Sequence, residues 1–450
     1  MGEIGRWTGG GTPSKANPLF WNGGNIPWVS PKDMKVDVIT DTHDHITDDA
    51  VRQSATNLIE AGSVLIVFRS GILQHTLPVA VTSRQVALNQ DLKAVKLREG
   101  IHSSYLALAL KAFEHDILRT CTKAGTTVQS LELPAFLRFQ IPVAPFHQQQ
   151  RIVAEIEKQF TRLDAGVAAL RRVRANLKRY RAAVLKAASE GRLVPTEADL
   201  ARDRHRKFET GQELLVRILA ERRTMWEGGR QYKEPAAPNA TDLPALPEGW
   251  AWATAEQLTD ENRSITYGVI KLGKPVHDGV HVLRSSDVRR LRLDLEDVKR
   301  VAPDVAEKYR RTFLKGGEVL ITVRGTLGGV VVAPHECVGF NISREVAMLA
   351  MVETVVAKTV AIFIASAPLQ RWLIRRAKGI AYTGINIETL KELPVPLPPL
   401  AEQARIVQEV ERRLSIVDEL ESVVTASLRR STGLRHSILQ QAFTTTKFAV

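Results

Sequence analysis

IPVAPFHQQQRIV, from Ile141 to Val153, and VPLPPLAEQARIV, from Val395 to Val407, say nearly the same thing 254 positions apart. Each is a Pro-rich turn that opens into a helical pattern. The same offset carries Asp33-Met34 onto Asp287-Val288, Gly125 onto Gly379, Asp164 onto Asp418 and Leu185 onto Leu439. With small shifts, the run Val64 to Arg69 matches Val319 to Arg324, and Asn89 matches Asn341. A repeat this long marks a duplicated domain rather than a solenoid. Each copy reads as a globular stretch, a Pro-rich turn and a long helix. Two similar heads joined by spacers suit a target in two separated parts.

The helical pattern after the first turn runs from Gln148 to Glu190. Ile156, Leu163, Leu170, Leu177 and Val184 recur every seventh residue, and Phe160, Val167, Val173 and Tyr180 fill a second seam. A sustained heptad is the signature of a coiled coil. The second copy carries Val410, Val417, Val424 and Ile438, with Leu414, Leu420 and Leu434 beside them and Ser431 interrupting. So narrow a stripe needs a partner helix, and the economical partner is the other copy. The first helix leads away from the first head and the second starts at the second head, so the pair must be antiparallel, with a pseudo-two-fold axis between copies.

The fold expected is therefore a pair of α/β (α+β) recognition domains joined by two long antiparallel coiled-coil helices. Residues 1–146 form the first head, 147–192 the first helix, and 193–245 a helical and Pro-rich connector. Residues 246–398 form the second head, 399–443 the second helix and 444–450 a tail. Within the heads, strands are predicted over 64–68, 319–323 and 329–333, and helices over 103–112 and 358–377. In the connector, Glu213 to Trp226 reads as an amphipathic helix stopped by Gly228-Gly229.

Composition narrows the function. Sixty-two Lys and Arg against 49 Asp and Glu give a net charge of +13 and a pI of about 9.8. That balance favours a polyanionic partner, most simply nucleic acid. Cys121 and Cys337 are isolated in sequence, so no disulfide framework is expected. No apolar run approaches membrane-spanning length and Met1 to Arg6 is no signal peptide, which predicts a cytoplasmic protein without membrane partners.

Several fragments tempt an enzymatic reading, and each is weak. Thr8 to Lys15 is Gly-rich but lacks the Gly-Lys-Ser/Thr order of a phosphate loop, and reads as a tight turn. Asn17-Pro18-Leu19-Phe20 approaches an amino-methylation motif, but Leu19 stands where a second Pro belongs. His43-Asp44-His45 has no evident third metal ligand and reads as a solvated loop. His75 has no nucleophile partner. No catalytic residue, metal site or cofactor of its own is expected for this chain.

The candidates for DNA contact are clearer. Between Leu170 and Lys186 lie seven basic residues and no acid. Of these, Arg171, Arg172, Arg174 and Arg179 are candidates for phosphate contact, against the bland alternative of a solvated helix face. Loops after the repeated strands supply Arg69, Ser70, Gln74, His75, Thr126 and Thr127 in the first copy, and Arg284, Arg324, Thr326, Tyr382 and Thr383 in the second. Arg suits guanine and Gln suits adenine in the major groove.

Along almost its whole length the chain resembles the specificity subunit of a type I restriction-modification system. The twin stretches IPVAPFHQQQRIVAEIE and VPLPPLAEQARIVQEVE carry the resemblance, with the Gly11–Ser14 turn, IPWVSPKDM (26–34), NQDLKA (89–94), NISR (341–344) and LPEGW (246–250). The resemblance implies a non-catalytic reader whose two target-recognition domains each bind half of a split, asymmetric double-stranded DNA site. It implies that the helices act as a ruler and as docking surface for two methyltransferase subunits. Those partners would hold S-adenosylmethionine and methylate adenine at N6. Motor-nuclease restriction subunits, using ATP and Mg, would cut unmodified DNA. One departure stands out: the first head has no lead-in like LPEGW, which predicts that it lacks its opening strand or that the true start lies upstream. A self-sufficient methyltransferase and a stand-alone repressor with coiled-coil assembly are the competing readings.

Overall fold

The computed structural model describes residues 1–123, 128–228, 231–239, 243–274, 276–353, 355–377 and 384–444. It divides into two compact units, Met1–Arg172 with Val424–Val450, and Val173–Val423.

In the first unit, the all-aliphatic run Val64–Val67 forms a wholly buried strand, because both of its faces are covered. It lies between antiparallel strands Leu92–Leu97 and Val79–Thr82; Gly5–Gly9 and Val38–Ile39 complete a five-stranded sheet. A second sheet pairs Ile26–Val29 in parallel with Val86–Leu88. Helix Ser103–Ala112 buries Tyr105, Leu106, Ala109 and Leu110 at the helical spacing of its apolar face. The start of a long helix, Phe146–Ser189, and the end of a second, Leu400–Thr444, close this unit. Val153 and Ile156 from the first meet Leu439 and Phe443 from the second beside Tyr105. The Phe443 ring lies 5.1 Å from that of Tyr105, whose hydroxyl donates to the Pro142 carbonyl at 3.0 Å. Asp164 and Arg435 pair at 3.4 Å between the helices, and the guanidinium sits over Phe160 at 4.4 Å.

The second unit repeats the sheet. Val319–Thr322 lies between Val346–Leu349 and Val330–Val332, with Thr266–Tyr267 at the edge. Val280–Leu283 pairs in parallel with Asn341–Ile342. Here Val184, Leu185 and Ala188 of the first long helix share a core with Ile406, Val407, Val410 and Leu414 of the second. Arg181 bonds Asp418 and Glu421 across the pair. Arg181 and Arg435 are 254 positions apart, as are Asp164 and Asp418, so the interhelical ion pair is itself duplicated.

The connector contributes helices Glu197–Asp203 and Gly211–Thr224. The second starts two residues before the predicted Glu213, because Thr210 and Glu213 form a reciprocal capping box. It ends at Thr224, ahead of Gly228. Gly211 is required: a Cβ there would fall 2.1 Å from the Leu397 carbonyl oxygen. The connector is tied to the second long helix through Glu402, which is fully buried. Its carboxylate accepts from the Glu197 backbone N–H at 2.8 Å and from Trp250 Nε1 at 3.0 Å. Burial raises the Glu402 carboxyl above the usual range. Burial also pushes Glu197 upward, but Arg206 and Arg405 more than offset it and hold that carboxylate low.

Several expectations need correction. The helix predicted over 358–377 is two helices, Ala357–Ala365 and Ala367–Arg376. Ser366 is extended between them, and Pro368, which has no N–H to give, sits in the first turn of the second. His43-Asp44-His45 is not a loop: Asp44–Ile46 is a strand paired with Ile26–Trp28, and His43 and His45 bond Asp44 and Asp41. Asn89 does not correspond to Asn341. Asn89 N–H bonds the Val29 carbonyl as Ser343 N–H bonds that of Leu283, both at 2.9 Å, so Ser343 is its counterpart. Gly125 and Gly379 lie outside the described residues.

The two copies also differ where the sequence lacks its lead-in. Ala251–Thr254 pairs with Pro394–Leu397, all four of whose residues are buried. The corresponding Gln140–Val143 lies in no strand among the described residues, and Val143 is 48% exposed.

The heptad seams fare unequally. Ile156, Val184, Val410, Val417 and Val424 are buried, whereas Val173, Tyr180 and Leu420 are more than 40% exposed. A pair of helices covers one edge of each stripe, so the second seam faces outward along part of its length.

Candidate nucleic-acid interface

The end of strand Val319–Thr322 delivers Arg324 to a concave rim. Its backbone N–H bonds the Glu345 carbonyl at 3.3 Å, and an isolated antiparallel bridge joins it to Gly384. The guanidinium lies 5.7 Å from the Tyr267 ring centre, within cation–π range. Arg324, Arg344, Arg376 and Asn386 line a cavity of about 410 Å³ with Glu345 on its wall. Three arginines against one acid make it an anion-attracting hollow. The acid is occupied: Glu345 accepts from the Ser285 backbone N–H at 3.2 Å and from its hydroxyl at 2.7 Å. Arg376 stacks on Trp372 at 4.1 Å, which fixes the direction of its charge.

The first unit builds the same rim. Arg69 N–H bonds the Asp91 carbonyl at 3.2 Å, and an isolated antiparallel bridge joins Arg69 to Ser130. Ser130 and Gly384 are 254 positions apart, so the two bridges are counterparts. Behind the rim, Gly10 and Gly268 pass so close to the neighbouring strand that a Cβ would fall 2.1 and 1.8 Å from a carbonyl oxygen. The Gly-rich turn of the first copy is thus a backbone-crossing device. Asn17 beside it caps its own turn, its side chain accepting from Leu19 N–H at 3.1 Å.

The remaining candidates are distributed as follows. Ser70 caps the turn Gly71–Gln74, and Gln74 and His75 are exposed at its end. Thr326 is exposed beside Arg324. Arg284 is otherwise engaged: its guanidinium holds Asp287 at 3.1 Å and the Asp297 carbonyl at 3.3 Å. Thr126, Thr127, Tyr382 and Thr383 lie outside the described residues. Arg171, Arg172, Arg174 and Arg179 are exposed on the first long helix, with Arg179 bonded to Asn176 at 2.6 Å. Arg344 and Arg376 were not among the sequence candidates. The constant offset of 254 would have found Arg344, since it falls on Gln90 at the first rim.

No cluster of three or more metal-ligating side chains occurs among the described residues. Burial pushes the Cys337 thiol up to about 11, far from a thiolate nucleophile. No described helix is long and apolar enough to cross a membrane.

Comparison with known proteins places this geometry. The model of the type I restriction modification DNA specificity domain matches residues 1–168 and 279–425. The chain is 45% identical over 158 residues to the specificity subunit of the Escherichia coli type I restriction enzyme EcoR124I/EcoR124II, covering 35% of this chain and 39% of that one. It is 25% identical over 363 residues to the Escherichia coli EcoBI specificity subunit, covering 80% and 69%. The fold is shared with the HsdS subunit of Thermoanaerobacter tengcongensis, at TM-score 0.52, 19% identity, and 98% and 95% coverage. A chain from a structure of type I R-M system assembly and conformational transition superposes at TM-score 0.62, with 19% identity and 98% and 96% coverage. With its two matching regions covering most of its length, the chain belongs to the type I restriction-modification DNA specificity family.

Proposed function

We propose that this chain is the non-catalytic DNA reader of a type I restriction-modification complex, each head taking one half of a bipartite, asymmetric site. The observation that carries the reading is the arginine rim built twice in one chain, at Arg69 and at Arg324, on the same backbone frame. A duplicated reader suits a site in two parts. The exposed arginines at 171, 172, 174 and 179 supply phosphate contact along the spacer.

In this reading the two long helices form an antiparallel coiled coil with a pseudo-two-fold axis. The duplicated ion pairs Arg181–Asp418 and Asp164–Arg435 support that register. The outward seam of Val173, Tyr180, Ile416, Leu420 and Val423 suits helical partners, here two methyltransferase subunits. S-adenosylmethionine then belongs to those subunits, and ATP with Mg to the restriction subunits. The complex works in the cytoplasm.

The test is methylation mapping with the chain co-expressed with its methyltransferase partner. The outcome expected is N6-methyladenine in a motif of two fixed halves around an unspecified gap. The chain alone should transfer no methyl group from labelled S-adenosylmethionine. A single undivided motif, or transfer by the chain alone, would sink the reading.

A further inference from the structure

We propose that Gln90 and Arg344 are the base-reading pair of the two rims, with Gln90 selecting an adenine in the first half-site and Arg344 a guanine in the second. The inference rests on the DNA-reading function proposed above and adds the residues that separate one head's sequence from the other's.

The argument starts from equivalence. Asn89 and Ser343 make the same bond to the preceding parallel strand. Asp91 and Glu345 both offer their carbonyls to the rim arginine's backbone N–H. Gln90 and Arg344 are the residues between these fixed points, so one backbone frame carries Gln in one head and Arg in the other. Around them most of the frame repeats: Arg69 with Arg324, Gly10 with Gly268, an acid with an acid.

A group present at both rims suits what both half-sites have in common, the sugar–phosphate backbone. A group that differs on an identical frame is where base sequence can enter. The two residues found are those whose side chains form paired hydrogen bonds with a purine edge: Gln with N6 and N7 of adenine, Arg with O6 and N7 of guanine.

The local surroundings fit each role. The Gly11 and Val269 N–H groups bond the Leu88 and Ile342 carbonyls, so Thr12 and Ile270 are the next equivalent pair. The Thr12 hydroxyl donates to Gln90 Oε1. That bond orients the amide and leaves its NH2 and a second lone pair on the oxygen for a base. Ile270 has no polar side-chain atom, and Arg344 is exposed, its guanidinium without a hydrogen bond or ion pair among the described residues. Its five donors face the hollow it shares with Arg324 and Arg376. Arg324 packs over Tyr267 and serves as the backbone anchor beside it.

The experiment exchanges the two residues in the complex with the partner methyltransferase and reads methylation on a DNA library randomised in both half-sites. R344Q should change one position of the second half-site from G to A and leave the first half unchanged. Q90R should change one position of the first half-site from A to G. R324Q should lower methylation on every member alike, with no change of base. Both exchanged side chains are exposed, and an unchanged melting temperature verifies folding. Methylation reduced evenly across the library by R344Q and Q90R, or abolished on every member, would assign these residues to the phosphates and overturn the inference. A wild-type complex whose motif is not bipartite would instead overturn the function on which it rests.

Discussion

Gln403 is locked to Val356. The buried amide oxygen accepts from the Val356 backbone N–H at 3.1 Å, while its NH2 donates to the Pro398 carbonyl at 3.0 Å. Gln149 repeats this with His102 at 2.8 Å and Ala144 at 2.7 Å, and adds Gly100 at 2.9 Å. Each Gln therefore joins three things: the Pro-rich turn, the start of a long helix and the first turn of a helix in its head.

Replacing either Gln with Ala leaves buried backbone donors and acceptors without partners. Each such group costs about 1–3 kcal/mol. Gln149→Ala and Gln403→Ala should each destabilise by roughly 2–4 kcal/mol. Amide hydrogen exchange should show faster exchange near His102 for the first and near Val356 for the second. Loss below about 0.5 kcal/mol for both would mean that water replaces the amide without penalty.

Glu402 sets a pH dependence for the second unit. Its carboxyl is raised by burial, with the two N–H donors and Arg405 working against that shift. A native state with a raised pKa binds more protons than the unfolded chain across the window that opens near 4.5, the ordinary value for Glu, and closes at the raised value. Stability then falls as pH rises through that window and levels off above it. Glu402→Gln should flatten this limb in urea titrations run at successive pH values. It also puts an NH2 against one of two N–H donors, so some loss at low pH is expected. A limb of the same slope in the variant would assign the titration to another group.

The arginine face of the first long helix gives a salt-dependent test. Gln at positions 171, 172, 174 and 179 removes four exposed positive charges, of which only Arg179 has a side-chain partner, Asn176. If they bind phosphates, the slope of log K against log salt for the assembled complex should drop by roughly one unit for each phosphate no longer neutralised. The weakening should be equal on cognate and random duplexes. An unchanged slope would make the stripe a solvated helix face.

Much of this architecture was legible because it is duplicated. Val64–Val67 and Val319–Thr322 announced two central strands, and Ser103–Ala112 emerged with the predicted bounds. What failed was reading by letter rather than by register. Asn89 and Asn341 look alike, yet the backbone bonds put Ser343 opposite Asn89. The same habit hid Gln90 and Arg344, which share no chemistry and so do not resemble a repeat. Arg284 drew notice as a lone loop arginine, but its partner is Asp287, three residues on, in a turn that only folding closes. Nor could the heptad pattern tell an inward seam from an outward one: Val417 is buried and Leu420 exposed on the same helix.

The spacer carries the last prediction. If the two helices set the distance between half-sites, lengthening both together should lengthen the gap. The place to do so lies between the ion pairs, after Arg172 in the first helix and after Val423 in the second, where the two units divide. An insertion near Ser189 would disrupt packing instead, because Leu185 and Ala188 are buried in the core of the second unit. Seven residues add about 10.5 Å of helix, roughly three base pairs of B-DNA. They also fall only about 20° short of two full turns, so the seam stays nearly in register. Arg181–Asp418 and Asp164–Arg435 lie on either side of the insertion and are preserved. Methylation mapping should then return the same two half-sequences with a gap longer by about three pairs. The same insertion in one helix alone should abolish methylation, since it shifts one seam past the other. An unchanged gap from the double insertion would show that the helices hold the partner subunits without measuring the site.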